Sequence, residues 1–285
     1  MTLQLKEVGF TYSRGTSFEY EALGGVSICL EPGDMTLVLG PTGSGKSTLL
    51  RVIAGLLRPI DGSIEMDGIR VDAPLLEQGS GLGLVFQNPE YQLFAETVLQ
   101  DVAFGPMNMG YSREDASRLA RHALESVGLP PDDFGPRSPF AMSGGEARRV
   151  ALAGILAMKP RFLLLDEPTA ALDATGRARV RSILQEVSAE CGLLVATHDV
   201  EEFLGIASQV LILDQGRVVF CGTPEALIRD PAPFFEAGTQ PPEILRTQLL
   251  AKANGIDVGE FSLDPGTVAV RLLAARSASR RGTTP

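Results

Sequence analysis

The residues best placed to do chemistry begin with Gly40-Pro41-Thr42-Gly43-Ser44-Gly45-Lys46-Ser47-Thr48. Two glycines five positions apart, followed by Lys and Ser, form the spacing of a phosphate-binding loop, and the stretch lies between an apolar run and a helical pattern, as such a loop must. Glycines let the backbone curl until its N–H groups point inward at phosphate oxygens, and the helix that follows adds its positive end. Lys46 would reach the β- and γ-phosphates of a nucleoside triphosphate, and the Ser47 hydroxyl would be a ligand of Mg²⁺.

A second group is Asp166-Glu167, which closes the apolar run Phe162-Leu163-Leu164-Leu165. Strand side chains alternate in direction, so the two carboxylates have different tasks. Asp166 is placed to hold Mg²⁺, while Glu167 can face the γ-phosphate and polarise an attacking water. His198 follows another apolar run, 192–196. A parallel sheet binds ligands at the C-terminal ends of its strands, where His198 could bond phosphate and water. His122, on an amphipathic helical stretch, is read as a surface or core residue without such a role.

These groups need elements to hold them. Alternation predicts strands at residues 3–8, 27–30, 36–39, 63–66 and 82–86, with a turn at Glu31-Pro32-Gly33-Asp34. Residues 87–158 have a different texture, and in 113–127 apolar residues recur at helical spacing, so this span reads as a helical insertion. Strand signals return at 162–165, 193–196, 210–213 and 218–220, with helices between the first three, which argues for a largely parallel sheet covered on both faces. The expected layout is a phosphate-loop domain over 1–222, a small helical extension over 223–255 with a helix near 243–254, and a tail over 256–285. That tail carries Arg276, Arg280 and Arg281 and is expected to fray in part.

Bulk properties narrow the function classes. The chain has 285 residues, 44% hydrophobic and 21% charged, which suits a globular protein with a substantial core. Its longest apolar stretch, 150–158, is far short of the ~20 residues that span a bilayer, and no signal peptide is evident. The expectation is therefore a protein kept in the cytosol, with any membrane contact running through another protein. A formal charge of −10 argues against nucleic acid as a partner. Cys29, Cys191 and Cys221 lack metal-ligand spacing and read as reduced thiols.

Together these motifs resemble the ABC ATPase family over roughly residues 1–255. Met142-Ser143-Gly144-Gly145-Glu146 is similar to the family's Leu-Ser-Gly-Gly-Gln signature, departing from it at Met142 and Glu146. The resemblance implies an α/β fold: a RecA-like P-loop core with an N-terminal antiparallel β-subdomain, a helical insertion and a small C-terminal helical extension. It implies that Ser143, Gly144, Gly145 and Glu146 face the ATP held by a second subunit. Tyr12 resembles the aromatic residue that stacks on adenine, Gln87 the glutamine that touches Mg²⁺ and senses the membrane partner, and Asp173 the D-loop residue that meets the opposite subunit. The implied cofactors are ATP and Mg²⁺, the latter on Ser47, Gln87 and Asp166, and the implied catalytic residues are Glu167, His198 and Lys46.

A narrower likeness lies in Phe86-Gln87-Asn88-Pro89-Glu90-Tyr91-Gln92-Leu93-Phe94, in Asp101-Val102-Ala103-Phe104-Gly105-Pro106 and in Gly15-Thr16-Ser17-Phe18-Glu19. These segments resemble the energy-coupling factor ATPases, in particular their second A-type subunit. That branch implies a second ABC ATPase as partner, in a heterodimer or a homodimer. It also implies a transmembrane T component and an S component that binds vitamins, cobalt or nickel. Glu90, Glu96 and Asp101 then become candidates to pair with arginines of the T component. Two alternatives stay open: a homodimeric ATPase of an ordinary ABC importer or exporter, and a soluble ABC ATPase outside transport. The second usually carries two ATPase units or a long coiled-coil insertion, and this chain has neither.

Overall fold

Two sheets share the apolar residues between them, and a set of helices covers the outer face of the larger one. The computed structural model describes residues 2–71, 81–88 and 92–281. The smaller sheet has the order β2-β1-β4-β5 and is antiparallel, built from β1 (Leu3–Tyr12), β2 (Tyr20–Leu30), β4 (Asp61–Met66) and β5 (Ile69–Arg70). The larger has the order β10-β9-β3-β8-β7-β6, from β3 (Met35–Leu39), β6 (Leu82–Val85), β7 (Phe162–Asp166), β8 (Gly192–Ala196), β9 (Gln209–Asp214) and β10 (Arg217–Gly222). All its pairings are parallel except β10 with β9.

Alternation within the central strands decides which core each residue joins. Leu37 and Leu39 of β3 and Leu163 and Leu165 of β7 pack toward the helices. Val38, Phe162 and Leu164 pack toward the small sheet and α1 (Lys46–Ile53). Both faces are covered, so these strands read as continuous apolar runs. Truncating fully buried Phe162 to Ala would cost about 3–5 kcal/mol.

Between β6 and β7 the chain forms α2 (Val98–Asn108), α3 (Arg113–Ser126), α4 (Pro131–Phe134), a 3₁₀ turn (Pro139–Ala141) and α5 (Gly144–Leu156). Thr97 and Ser112 begin α2 and α3 by accepting the backbone N–H groups of Gln100 and Asp115, which satisfies donors a helix start otherwise leaves bare. Ala116, Ala120, Ala123 and Leu124 then bury one stripe of α3. After β7 come α6 (Ala174–Val187) and α7 (Val200–Phe203).

β2 begins well before residue 27, where the sequence reading started it. Gly24-Gly25 interrupts the apolar alternation, yet the strand continues through it with register shifts against β1, and the Gly24 N–H bonds the Gly216 carbonyl. Beyond β10 lie α8 (Pro224–Arg229), α9 (Ala232–Glu236), α10 (Glu243–Ala253) and α11 (Pro265–Arg281). The Glu243 N–H bonds the Glu201 carboxylate on α7, tying the extension to the core. Residues 256–285, read from sequence as a tail, thus include a 17-residue helix. Pro265 opens it and Asp264 accepts the Thr267 N–H at 2.7 Å, a local helix-start signal.

Candidate active site

β3, β8 and β7 lie side by side and parallel, so their C-terminal ends share one edge of the sheet. Ala196 is in register with Val38 on one side and Asp166 on the other. The phosphate-loop residues 40–48, the carboxylates Asp166 and Glu167, and His198 all emerge at that edge.

The loop itself needs its glycines. Gly40 has φ 147°, and a Cβ there would stand 2.2 Å from the Leu213 carbonyl oxygen. Gly45, at φ 106°, would place one 2.6 Å from the Ala22 carbonyl oxygen. Both combine a left-handed backbone with no room for a side chain. Pro41, Thr42 and Gly43 form the rim, with Thr42 and Gly43 exposed. Lys46 folds back beneath it, and its Nζ donates to the carbonyls of Gly40 at 2.7 Å and Pro41 at 3.0 Å. Burial pushes the Lys46 ammonium below its usual range, against the opposing pull of Glu167 and Asp166.

Asp166 and Glu167 are both buried. Burial holds the Asp166 carboxyl above the usual carboxylate range, a hydrogen bond from Ser47 works in the opposite direction, and the neighbouring Glu167 charge raises it again. Glu167 sits at φ 50°. Its carboxylate accepts from Thr197 Oγ1 at 2.9 Å and from the His198 backbone N–H at 3.0 Å, and its Oε1 lies 2.7 Å from His198 Nδ1. The His198 ring is 70% exposed on its other side. A carboxylate held on three sides beside an open imidazole is an arrangement that can orient and deprotonate water.

The donor set suits a nucleotide with a hard cation. Ser44 Oγ is buried in the loop without a hydrogen-bond partner among the described residues, as a donor reserved for a phosphate oxygen would be. The described residues contain no cluster of three or more His, Cys, Asp or Glu side chains fit for a metal ion. Mg²⁺ is commonly held with fewer protein ligands, by one or two carboxylates together with substrate phosphates and water, and the bonded pair Ser47 and Asp166 matches that.

A separate helix start carries a second potential anion site. Ser143 caps α5, accepting the Glu146 N–H at 3.3 Å, while its own N–H and hydroxyl donate to Glu146 Oε2, each at 2.8 Å. Ser143 and Gly144 are exposed, and Gly145 is half-buried.

Comparison with known proteins bears on the family. A family model described as "ABC transporter" matches residues 23–170. The chain is 46% identical over 236 residues to the energy-coupling factor transporter ATP-binding protein EcfA2 of Streptococcus sanguinis, covering 81% of this chain and 84% of that one. It is 41% identical to the EcfA2 of Symbiobacterium thermophilum across 99% of this chain and 100% of the other. The chain belongs to the ABC transporter family, in its energy-coupling factor branch. Among solved structures, cbiO1 of Clostridium perfringens, described as part of the ABC transporter complex cbiONQ, superposes with a TM-score of 0.71 at 32% identity, covering 87% of this chain and 98% of that one. MJ0796, described as a dimeric bacterial ABC transporter cassette, gives 0.69 at 29% identity over 78% of this chain and 98% of its own. The chain is accordingly an ABC ATPase, a transport ATP-binding protein.

The other positions singled out from the sequence lie as follows. Tyr12 closes β1 beside the loop helix, its hydroxyl 3.2 Å from Thr48 Oγ1. Gln87 lies two residues past β6, with an exposed side chain. Asp173 caps α6, accepting the Gly176 N–H at 2.7 Å, and is exposed. Of the three acidic residues expected to pair with a membrane component, Glu90 lies outside the described residues and Glu96 is exposed. Asp101 is largely buried, and its Oδ2 accepts the Phe94 and Ala95 N–H groups, both at 2.8 Å, so it shapes a turn while lining the cavity between β6 and the insertion.

Sequence reasoning missed three residues. Tyr20, in register opposite Tyr12, donates from its hydroxyl to the Gly43 carbonyl at 3.3 Å. Thr197 bonds Glu167. Arg148, on α5, donates to the backbone carbonyls of Glu167 at 2.6 Å and Gln87 at 2.7 Å. The last had a signal: Arg148-Arg149 puts two positive charges directly ahead of the apolar run 150–156.

Proposed function

We propose that this chain energises an energy-coupling factor importer for vitamins or for cobalt or nickel ions, working as one half of an ATPase dimer on the cytoplasmic face of the membrane. The observation carrying this reading is that Lys46, Glu167 and His198 meet at one sheet edge while Ser143 and Gly144, at the start of α5, stand exposed on another element. Such a chain holds the two halves of a composite site, which a second cassette would complete. MJ0796 is itself described as a dimer, including a post-hydrolysis state with ADP and phosphate.

In this reading Lys46, the 40–48 loop amides and Ser44 hold the phosphates, and Tyr12 stacks on adenine. Ser47 and Asp166, with Gln87 at the neighbouring strand end, would hold Mg²⁺, which neutralises charge on the phosphates. Glu167 takes a proton from the attacking water, and His198 orients Glu167 and touches the γ-phosphate. Ser143, Gly144, Gly145 and Glu146 face the partner's nucleotide, and Asp173 meets the partner across the interface. Closure on two ATP molecules followed by hydrolysis then drives the cycle.

Transmission to the membrane needs a docking surface. A groove of about 500 Å³ runs between β6 and the insertion, lined by Gln92, Phe94, Phe104, Met109, Ile155 and Met158 among others. Phe94 is 57% exposed and stacks edge-on with Phe104, their centroids 4.7 Å apart. An exposed apolar groove beside Gln87 suits a helix of the T component. No helix among the described residues is long and apolar enough to cross a membrane.

The test is to tag the chain in its native cell, extract it in mild detergent and identify what copurifies. A second ABC ATPase with one T-like and one small S-like membrane protein supports the proposal and identifies the substrate class. A homodimer on a conventional permease would replace it with the ordinary ABC transporter reading.

A further inference from the structure

We propose that Arg148 is a positioning residue that aims Glu167 and ties its aim both to the helix bearing the Ser143 cap and to Gln87. Arg148 lies just over one turn into α5 and is only 8% exposed. Its guanidinium divides between two segments: Nη1 donates to the Glu167 carbonyl and Nη2 to the Gln87 carbonyl. A planar fork can hold two carbonyls in fixed relation, whereas an ammonium is a point charge.

The geometry around Glu167 makes that contact consequential. The residue sits in the left-handed region at φ 50°, with its N–H on the Ala196 carbonyl at 2.8 Å. One peptide group is thereby anchored to β8, and the next is anchored to Arg148. These two contacts fix the backbone turn that aims the carboxylate at Thr197 and His198. Any movement of α5 relative to the sheet therefore reaches Glu167 directly through its own carbonyl. The same guanidinium moves with Gln87, at the joint where the chain leaves β6 for the helical insertion. Arg148 thus joins three places within one chain: the helix start exposed toward a partner's nucleotide, the joint with the insertion, and the turn carrying Glu167. A misplacement of ~1 Å at a reacting group can cost about 100-fold in rate.

The inference rests on Glu167 being the hydrolytic carboxylate, and a double-mutant cycle in the full chain separates the two claims. Arg148→Met, Arg148→Lys, Glu167→Gln and the double variant Arg148→Met/Glu167→Gln are assayed for ATP affinity, by a fluorescent ATP analogue, and for turnover. Arg148→Met is expected to lower kcat by about 100-fold with ATP affinity changed less than about twofold. Arg148→Lys, which can satisfy one carbonyl and keeps the charge, is expected to recover part of the loss. In the Glu167→Gln background Arg148→Met is expected to add almost nothing, because both act through one group. Multiplicative losses in the double variant, or a fall in ATP affinity matching the fall in kcat, would overturn the role. So would normal turnover in a folded Arg148→Lys protein together with an inactive, weakly binding Arg148→Met. Near-normal turnover in Glu167→Gln alone would instead remove the assignment of Glu167, whatever Arg148 does.

Discussion

Lys46 and Glu167 meet at the same edge of the sheet, but their environments separate their tasks. Lys46 is a buried cation whose Nζ is satisfied by two loop carbonyls, and nucleotide phosphates offer it a stronger, charge-assisted alternative. Losing such a bond costs about 1.5–3 kcal/mol. Lys46→Ala is therefore expected to weaken ATP binding by roughly 10–100-fold, measured by titration with a fluorescent analogue. Glu167 is placed differently: its carboxylate is braced by Thr197 and His198, and the role proposed for it is on water rather than in holding the nucleotide. Glu167→Gln keeps the shape and removes the proposed base, so affinity is expected to persist while kcat falls by ~100-fold or more. Equal affinities in the two variants would show that the division of roles is wrong.

At the scale of elements, α5 carries a conflict within its first turn. Glu146 completes a capping box with Ser143, and the bonds from the Ser143 N–H and hydroxyl hold its carboxyl below the usual range, with Arg137 adding to this. A lowered folded pKa means its stabilising effect is complete above the ordinary value of 4.5 and is lost as pH falls through the lower folded value. Glu146→Ala is expected to cost about 0.5–2 kcal/mol, and Glu146→Gln only about 0.3–1 kcal/mol, for the lost charge at the helix start. The same carboxylate occupies the Ser143 hydroxyl and repels a phosphate brought to that helix start. Glu146→Gln is thus expected to tighten ATP-driven dimerisation in a Glu167→Gln background, read by sedimentation, while its melting temperature falls slightly. Unchanged dimerisation would show that the charge does not reach the phosphate.

For the whole molecule, the relevant question is which exposed surface is stable alone and which awaits a partner. Phe94 and Phe104 pack on each other at the mouth of the groove and are 57% and 41% exposed. Truncating exposed side chains usually changes stability by less than ~0.5 kcal/mol. Phe94→Ala with Phe104→Ala is expected to leave the melting temperature nearly unchanged yet sharply reduce copurification with the membrane component. Loss of stability with intact assembly would place the pair in the core's service and the docking surface elsewhere. Asp101 lines the same groove and its Oδ2 holds the Phe94 and Ala95 N–H groups, so it also fixes the turn that presents Phe94.

The amino-acid sequence alone determined the phosphate loop, the paired carboxylates, the histidine, the family and the alternation of strands and helices. Each depends on residues close together in the chain, where glycine φ requirements, strand alternation and helix starts act locally. The sequence could not decide which side chains meet across the fold. Asp101 reads as a surface acid and is a buried turn acceptor, because Phe94 and Ala95 fold back onto it. Residues 265–281 read as an arginine-rich tail, yet form a helix that Arg271 helps hold through the Glu260 carbonyl. Arg148 meets Glu167 and Gln87, 19 and 61 residues away, only because β6 and β7 are hydrogen-bonded neighbours and α5 runs between them in sequence. Contacts of that span are set by strand order and packing, and no local pattern records them.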